Sequence, residues 1–181
     1  AEIALQDSEE KYRKLVEHSP DAICVHKNEK VIFANKTTAR ILGYDNTEDL
    51  IGKKVIDLLH PDYRNIVMER IKESLKNGKR APKIEEKFLR ADGSTIDAEV
   101  TAIPIKFENE SAMQVVIRDI TERKQVENAL RESEGQLKSI LEANPNPVVV
   151  YNRKGYPQFL NPSFTEVFGW TIEELRGREI P

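Results

Sequence analysis

The spacing of apolar residues changes several times along the chain, and each change marks an element. Over 2–18, Ile3, Leu5, Tyr12, Leu15 and Val16 fall among charged residues at helical spacing, and Pro20 closes the run. Two short β-rich runs follow, AICVH at 22–26 and VIFAN at 31–35, and the turn KNEK between them predicts a hairpin. Asn35 stands where a short helix through Leu42 needs its N-cap, and Gly43 stops that helix. Thr47, Glu48, Asp49 and Leu50 read as a further helical turn ended by Gly52. Between 65 and 76, Val67, Met68, Ile71 and Leu75 form one apolar stripe. The period then becomes two. KIEEKFLR, the turn Asp92-Gly93 and STIDAEVTAIPIKF make a hairpin, with Ile96, Ala98, Val100 and Ala102 on one face. After a turn at ENES, AMQVVIRD supplies the last strand. Two strands, several short helices and three strands predict an α+β domain: a five-stranded antiparallel sheet with helices on one face.

Thr121 is the expected N-cap of the next helix, over 121–143. Its residues Val126, Leu130, Leu137 and Ile140 fit the apolar seam of a coiled coil, with Ser133 at the intervening position. A helix this short is marginal alone, so the seam predicts pairing with another helix. The sequence then repeats itself. SEEKYRKLVEHSP at 8–20 matches SEGQLKSILEANP at 133–145, offset by 125 residues. VIFANKTTARILGY matches PQFLNPSFTEVFGW, pairing Asn35 with Asn161 and Gly43 with Gly169. TEDLIGKKVI at 47–56 matches IEELRGREIP at 172–181. That period suits tandem domains and is too long for a solenoid unit. The expected organisation is an N-terminal amphipathic helix at 1–20, a first domain at 21–120, a linker helix at 121–143, and the first part of a second copy at 144–181. The opening AEIALQDSEEKY, neither an initiator Met nor a signal peptide, suggests a piece of a longer protein.

Composition narrows the function classes. The chain of 181 residues is 39% hydrophobic and 33% charged, with mean hydropathy −0.57, which suits a folded core and no membrane span. A net charge of −3 argues against a nucleic-acid partner, and the mixed signs along 118–138 read as a solvated helix face. A single cysteine, Cys24, rules out an internal disulfide and a multi-cysteine zinc site, and points to the cytoplasm. His18, His26 and His60 show no metal-ligand spacing. His60-Pro61-Asp62 is expected to form a turn. His26 is expected at a solvent-facing strand end, and Cys24 as a small buried hydrophobe. No phosphate loop, zinc-protease or nucleophile motif occurs, so no enzyme activity is expected in this fragment.

Several segments, in order, resemble a known family. EKYRKLVEHSPDAI, VIFANKTTARILGY, EDLIGK, HPD at 60–62, FLRADGSTIDAEV and RDITERK together resemble a PAS domain of the S-box type. The tandem layout is similar to the sensor regions of two-component histidine kinases. The resemblance implies a five-stranded sheet cupping a small-molecule pocket, flanked by amphipathic helices, and a signal passed through the exit helix to an effector such as a histidine kinase. Asp119, Ile120 and Thr121 match the family's DIT motif, where sheet becomes output helix. Haem-binding members carry a histidine on the long helix, and flavin-binding light sensors carry GxNCRFLQ. Neither feature is present, so both cofactors are disfavoured and the ligand, if any, stays unknown.

Two functions compete. One is a ligand-sensing module whose candidate pocket wall is Ile23, Val25, Phe33, Leu42, Ile56, Met68, Ile71, Leu75, Phe88, Val100 and Val116. The alternative is a ligand-free interaction module that sets the register of paired helices. Both imply a homodimer through the flanking helices and no membrane contact by this fragment, although the parent protein could be membrane-anchored. In a PAS sheet the first strand is central and pairs with the last. The truncated second copy therefore leaves 147–151 with an unpaired inner edge, expected to be poorly ordered or paired with another chain.

Overall fold

The computed structural model describes residue 11 and residues 14–107 and 109–175. Most of the helix expected over 2–18 lies outside these residues; 14–17 are helical. In order come β1 (Ala22–Lys27), β2 (Lys30–Ala34), α1 (Lys36–Leu42), three 3-10 turns (Thr47–Asp49, Val55–Leu58, Pro61–Tyr63) and α2 (Arg64–Asn77). Then follow β3 (Ile84–Leu89), β4 (Thr95–Phe107), β5 (Glu110–Asp119), α3 (Thr121–Ala143), β6 (Val149–Tyr151), β7 (Pro157–Leu160), α4 (Pro162–Phe168) and α5 (Ile172–Leu175). The described residues form two compact units that divide between Lys124 and Gln125, within α3.

The first unit is an α+β fold around one antiparallel sheet of order β2-β1-β5-β4-β3. The order follows from the connections. Short connections join β1 to β2, β3 to β4 and β4 to β5, and the helical stretch carries the chain from β2 to the far edge. Strand β1 therefore pairs with β5, bringing the two ends of the domain together. The period-two reading of β4 is met: Ile96, Ala98, Val100 and Ala102 are all buried. They pack beneath α1, α2 and the 3-10 turns, with Leu42, Leu50, Leu59, Val67 and Ile71.

One irregularity resets the alternation. Val25 pairs with Phe33 but His26 pairs with Val31, so Ile32 is the extra residue of a β-bulge. Val31 and Ala34 both enter the core, and Phe33 shares the other face with Val25.

Asn35 fastens the opening of the domain. Its side chain is fully buried and its Oδ1 accepts from the amides of Ile23 and Thr38 and from the Thr38 hydroxyl. Its Nδ2 donates to the carbonyls of Val16 and Asp21. One amide thus caps α1, holds the start of β1 and ties down the chain before it. Gly43 closes α1 with φ 73°, a left-handed conformation that favours glycine.

The second unit repeats this device. Asn161 is fully buried, accepts from the amides of Val148 and Phe164, and donates to the carbonyls of Asn144 and Asn146. Gly169 ends α4 at φ 74° as Gly43 ends α1. Strand β6 pairs with β7, and among the described residues no strand pairs with its other edge. Val150 and Tyr151 are exposed there. The aligned segment at 176–181 lies outside the described residues.

Asn35→Ala removes the cap of α1 and strands the Ile23 amide. The expected loss, read by urea unfolding, is about 3 kcal/mol. The exposed α2 substitution Lys72→Ala should stay within about 0.5 kcal/mol of the parent chain. Equal effects of the two would contradict the role given to Asn35.

Candidate functional site

The concave side of the sheet and the helical layer enclose a cavity of about 40 Å³. Alternation along the strands decides who reaches it: Cys24 and His26 from β1, Val115 and Ile117 from β5, Val100 and Ala102 from β4, Glu86 and Phe88 from β3. Helix α1 adds Thr38 and Leu42, and α2 adds Val67, Arg70 and Ile71 on one stripe. Val31, Leu50, Val55, Leu58 and Leu59 complete the wall.

Of the residues expected from sequence, Leu42, Ile71, Phe88 and Val100 line this cavity. Ile23, Val25 and Val116 alternate with its lining residues and so belong to the opposite sheet face. Val116 borders a shallow groove there with Asp21, Thr101, Ile103 and Arg118. Phe33 joins them because the Ile32 bulge shifts the phase of β2. Ile56 sits between Val55 and Leu58 without lining the cavity, Met68 packs beside the core, and Leu75 is 40% exposed at the end of its stripe.

Polar groups inside the cavity were the ones sequence reasoning passed over. His26 is 2% exposed, not at a solvent-facing strand end, because β1 is an inner strand and His26 shares the concave face with Cys24. Its Nε2 has no hydrogen-bond partner. Glu86 is 2% exposed, between Ile84 and Phe88 on the same strand face. Arg70 Nη1 lies 3.5 Å from Glu86 Oε2, and Nη2 donates to the Pro82 carbonyl. The Arg70 Nε is buried without a partner. The available signal was a carboxylate on an apolar strand face and a guanidinium on an apolar helix stripe.

Burial sets the charge states. Burial pushes the Glu86 carboxyl up to about 7, partly offset by Arg70. Burial drives His26 down to about 4, so its ring is neutral at neutral pH. Cys24 rises to about 12 through burial and the nearby Glu86, so its thiol stays protonated. His60, in contrast, belongs to a turn: its Nδ1 accepts from the Asp62 amide at the start of the Pro61–Tyr63 turn.

The second candidate feature is the junction of β5 and α3. The Lys124 amide donates to the Ile120 carbonyl, so helical bonding begins at Ile120. Thr121 is therefore not the N-cap. Asp119 Oδ1 accepts the Thr121 amide at 2.9 Å, and the Thr121 hydroxyl instead accepts from the Asp97 amide of β4. Ile120 is buried, and its amide donates to the Asp97 carbonyl. Beyond the junction, Glu85 of β3 pairs with Arg123 and Lys124 of α3, each at 2.8 Å. Lys124, whose bond to Glu85 holds its ammonium above the usual range, also reaches Asp97. Val126, Leu130, Leu137 and Ile140 are 58–67% exposed along α3.

Stability against pH separates the two buried titrating groups. Folded Glu86 holds a proton that the unfolded chain releases near 4.5, so its contribution is present at low pH and lost as pH rises to about 7. Folded His26 excludes a proton that the unfolded chain takes up near 6.5, so its contribution is present at high pH and lost as pH falls to about 4. The two slopes oppose each other where they overlap. Relative to the parent chain, Glu86→Gln should gain roughly 1.4 kcal/mol per pH unit as pH rises through its window. His26→Gln should gain at a similar slope as pH falls through its own. Urea midpoints across pH measure both; parallel profiles for parent and variants would contradict these charge states.

The comparisons with known proteins agree with this architecture. The family model described as PAS fold matches residues 10–120 and 135–181. Sporulation kinase A of Bacillus subtilis is 34% identical over 165 residues, covering 88% of this chain and 27% of the kinase. Sporulation kinase E of the same organism is 26% identical over 180 residues, covering 97% of this chain and 23% of the kinase. The chain thus spans about a quarter of the length of these relatives. Among solved structures, the PAS domain of a protein from Colwellia psychrerythraea superposes with a TM-score of 0.57 at 25% identity, covering 64% of this chain and 98% of that one. Two matched stretches, one sheet order and a shared sequence over most of the chain lead to one conclusion: this chain belongs to the PAS family.

Proposed function

We propose that this chain is the sensory module of a larger signalling protein, a sensor histidine kinase acting in the cytoplasm. In this reading the first domain senses through its cavity and passes its state to α3 through the Asp119-Ile120-Thr121 junction. One observation supports the relay above the others. Neighbouring residues of β3 face opposite ways, Glu86 into the cavity and Glu85 onto Arg123 and Lys124 of α3. A shift of β3 that accommodates cavity contents therefore acts on the first turn of the output helix. Strand β5 makes a second connection, from Val115 and Ile117 in the cavity wall to Asp119 at the helix start. The described residues contain no helix long and apolar enough to cross a membrane.

The exposed seam of α3 supports a homodimer as the form that transmits the signal. Four large apolar side chains exposed at heptad-like spacing on a helix rich in charged residues suit a paired helix. A second copy of the chain presents the same seam and can pair in register with it.

Two measurements test the reading. Glu85→Ala removes both ion pairs to α3, and the amides of the first helical turn should then exchange with solvent about threefold faster. Unchanged exchange there would contradict the relay. Leu130→Glu together with Leu137→Glu places charge in the seam and should weaken self-association at least about tenfold in sedimentation. An unchanged dimer, or a parent chain that is monomeric, would remove the paired helix from the account.

A further inference from the structure

One pair of charges joins α2 to β3 inside the cavity wall. Glu86 of β3 is 2% exposed, and its ion-pair partner among the described residues is Arg70 of α2, whose Nη1 lies 3.5 Å from the Glu86 Oε2. That separation is at the limit of a hydrogen bond. Arg70 is shared between two acceptors. Its Nη2 donates to the Pro82 carbonyl, at an exposed position just before β3, while its Nε is buried without a partner. A guanidinium keeps its charge at every pH a protein meets, so it always needs an acceptor or water. An ionised carboxylate in an apolar cavity demands the inner contact with Arg70, and a neutral acid does not.

We propose that the first domain senses protons: gain or loss of one proton at Glu86 moves Arg70 between its two acceptors, and β3 passes the change to α3 through Glu85. This deepens the sensory reading above and rests on it. At higher pH, Glu86 is a carboxylate that draws Arg70 inward and clamps α2 to β3. At lower pH, Glu86 is a neutral acid, Arg70 turns to Pro82 and solvent, and the clamp opens. The step is a proton exchange between one carboxyl oxygen and water, and no other bond forms or breaks. Burial holds the Glu86 carboxyl up at about 7. One pH unit to either side of that midpoint takes a carboxyl from about 90% to about 10% protonated, so small changes around neutrality move the switch.

Among the described residues, the groups around Glu86 leave that proton to it. Besides Glu86, the charged or titratable residues lining the cavity are Arg70 from α2 and Cys24 and His26 from β1. Burial, with Glu86 nearby, keeps Cys24 a thiol, and burial keeps His26 neutral at neutral pH. The cavity-lining residues of α1, β4, β5 and the 3-10 turns carry no charge. On β4, Asp97 and Glu99 flank Ala98, the residue opposite Glu86, and so face the other way, where they pair with Lys87 and Lys83. Asp57 of the second 3-10 turn and Glu69, Lys72 and Glu73 of α2 are exposed. His60 and Asp62 of the third turn lie against each other.

The test is a pH titration of the full chain by NMR, followed through the Glu86 carboxyl carbon, the Arg70 Nε–H and the backbone amides of Glu122, Arg123 and Lys124. The expected result is one midpoint, at about 7, shared by all three reporters. In Glu86→Gln, which keeps the side-chain shape and cannot ionise, Arg70 and the α3 amides should lose that transition. In Glu85→Gln, Glu86 and Arg70 should still titrate together, while the response of the α3 amides should shrink by about half or more. A midpoint shared by Glu86 and Arg70 is a readout that a fixed packing role would not give. A Glu86 carboxyl that keeps one protonation state through neutrality would overturn the proton sensor and leave the sensory reading standing. An Arg70 or α3 transition that survives in Glu86→Gln would do the same. Glu86 and Arg70 titrating together over an unmoved α3 would overturn the relay, and the proposal with it.

Discussion

The buried amide of Asn35 is the constraint on which the first domain depends. An α+β domain of this connectivity must bring the chain before β1, the start of β1 and the start of α1 to one point. Each of these brings polar backbone groups that have no partner within a helix or sheet ladder. Asn35 meets them with one side chain, accepting from Ile23 and Thr38 and donating to Val16 and Asp21. A carboxylate could not donate, and a hydroxyl could not reach four groups. Asn161 does the same for Val148, Phe164, Asn144 and Asn146. The recurrence explains why the repeated sequence preserves an asparagine and a following glycine while exchanging the apolar residues around them.

Much of the architecture is legible in the residues because its signals are local. The Asp92-Gly93 turn, the alternation of Ile96 through Ala102 and the cap at Asn35 each lie within a few positions of one another. What escapes is non-local. Ile32 looks like any strand residue, and only the pairing of β1 with β2 shows it as a bulge that turns Phe33 away from the cavity. His26 looks like a strand end, and only the placement of β5 beside β1 encloses it. Thr121 is a reasonable cap by residue type, yet Asp97 claims its hydroxyl and Asp119 takes over the capping. Glu86 is one of two adjacent glutamates; its spacing from Ile84 and Phe88 marks it as the inward one, and only the assembled sheet shows how fully it is enclosed.

The buried polar groups of the cavity work against stability. A well-packed apolar cavity would leave no reason for Arg70, Glu86 and His26 to sit inside it, each resisting desolvation. Glu86 lies on β3, one of the two strands that join the cavity wall to α3. Glu86 and Glu85 share a peptide bond, and Glu85 holds the first turn of the helix through Arg123 and Lys124. Under the relay proposed above, that adjacency couples the interior of the cavity to the anchoring of α3.

That coupling is the central claim, and a double-mutant cycle of Glu85→Gln and Glu86→Gln tests it most directly, read by the protection of the α3 amides from residue 121 to 125. The account predicts non-additive effects: changing the inward glutamate alters protection less once the outward one no longer holds the helix. Strictly additive effects would show that the cavity and the helix respond independently, and would contradict it.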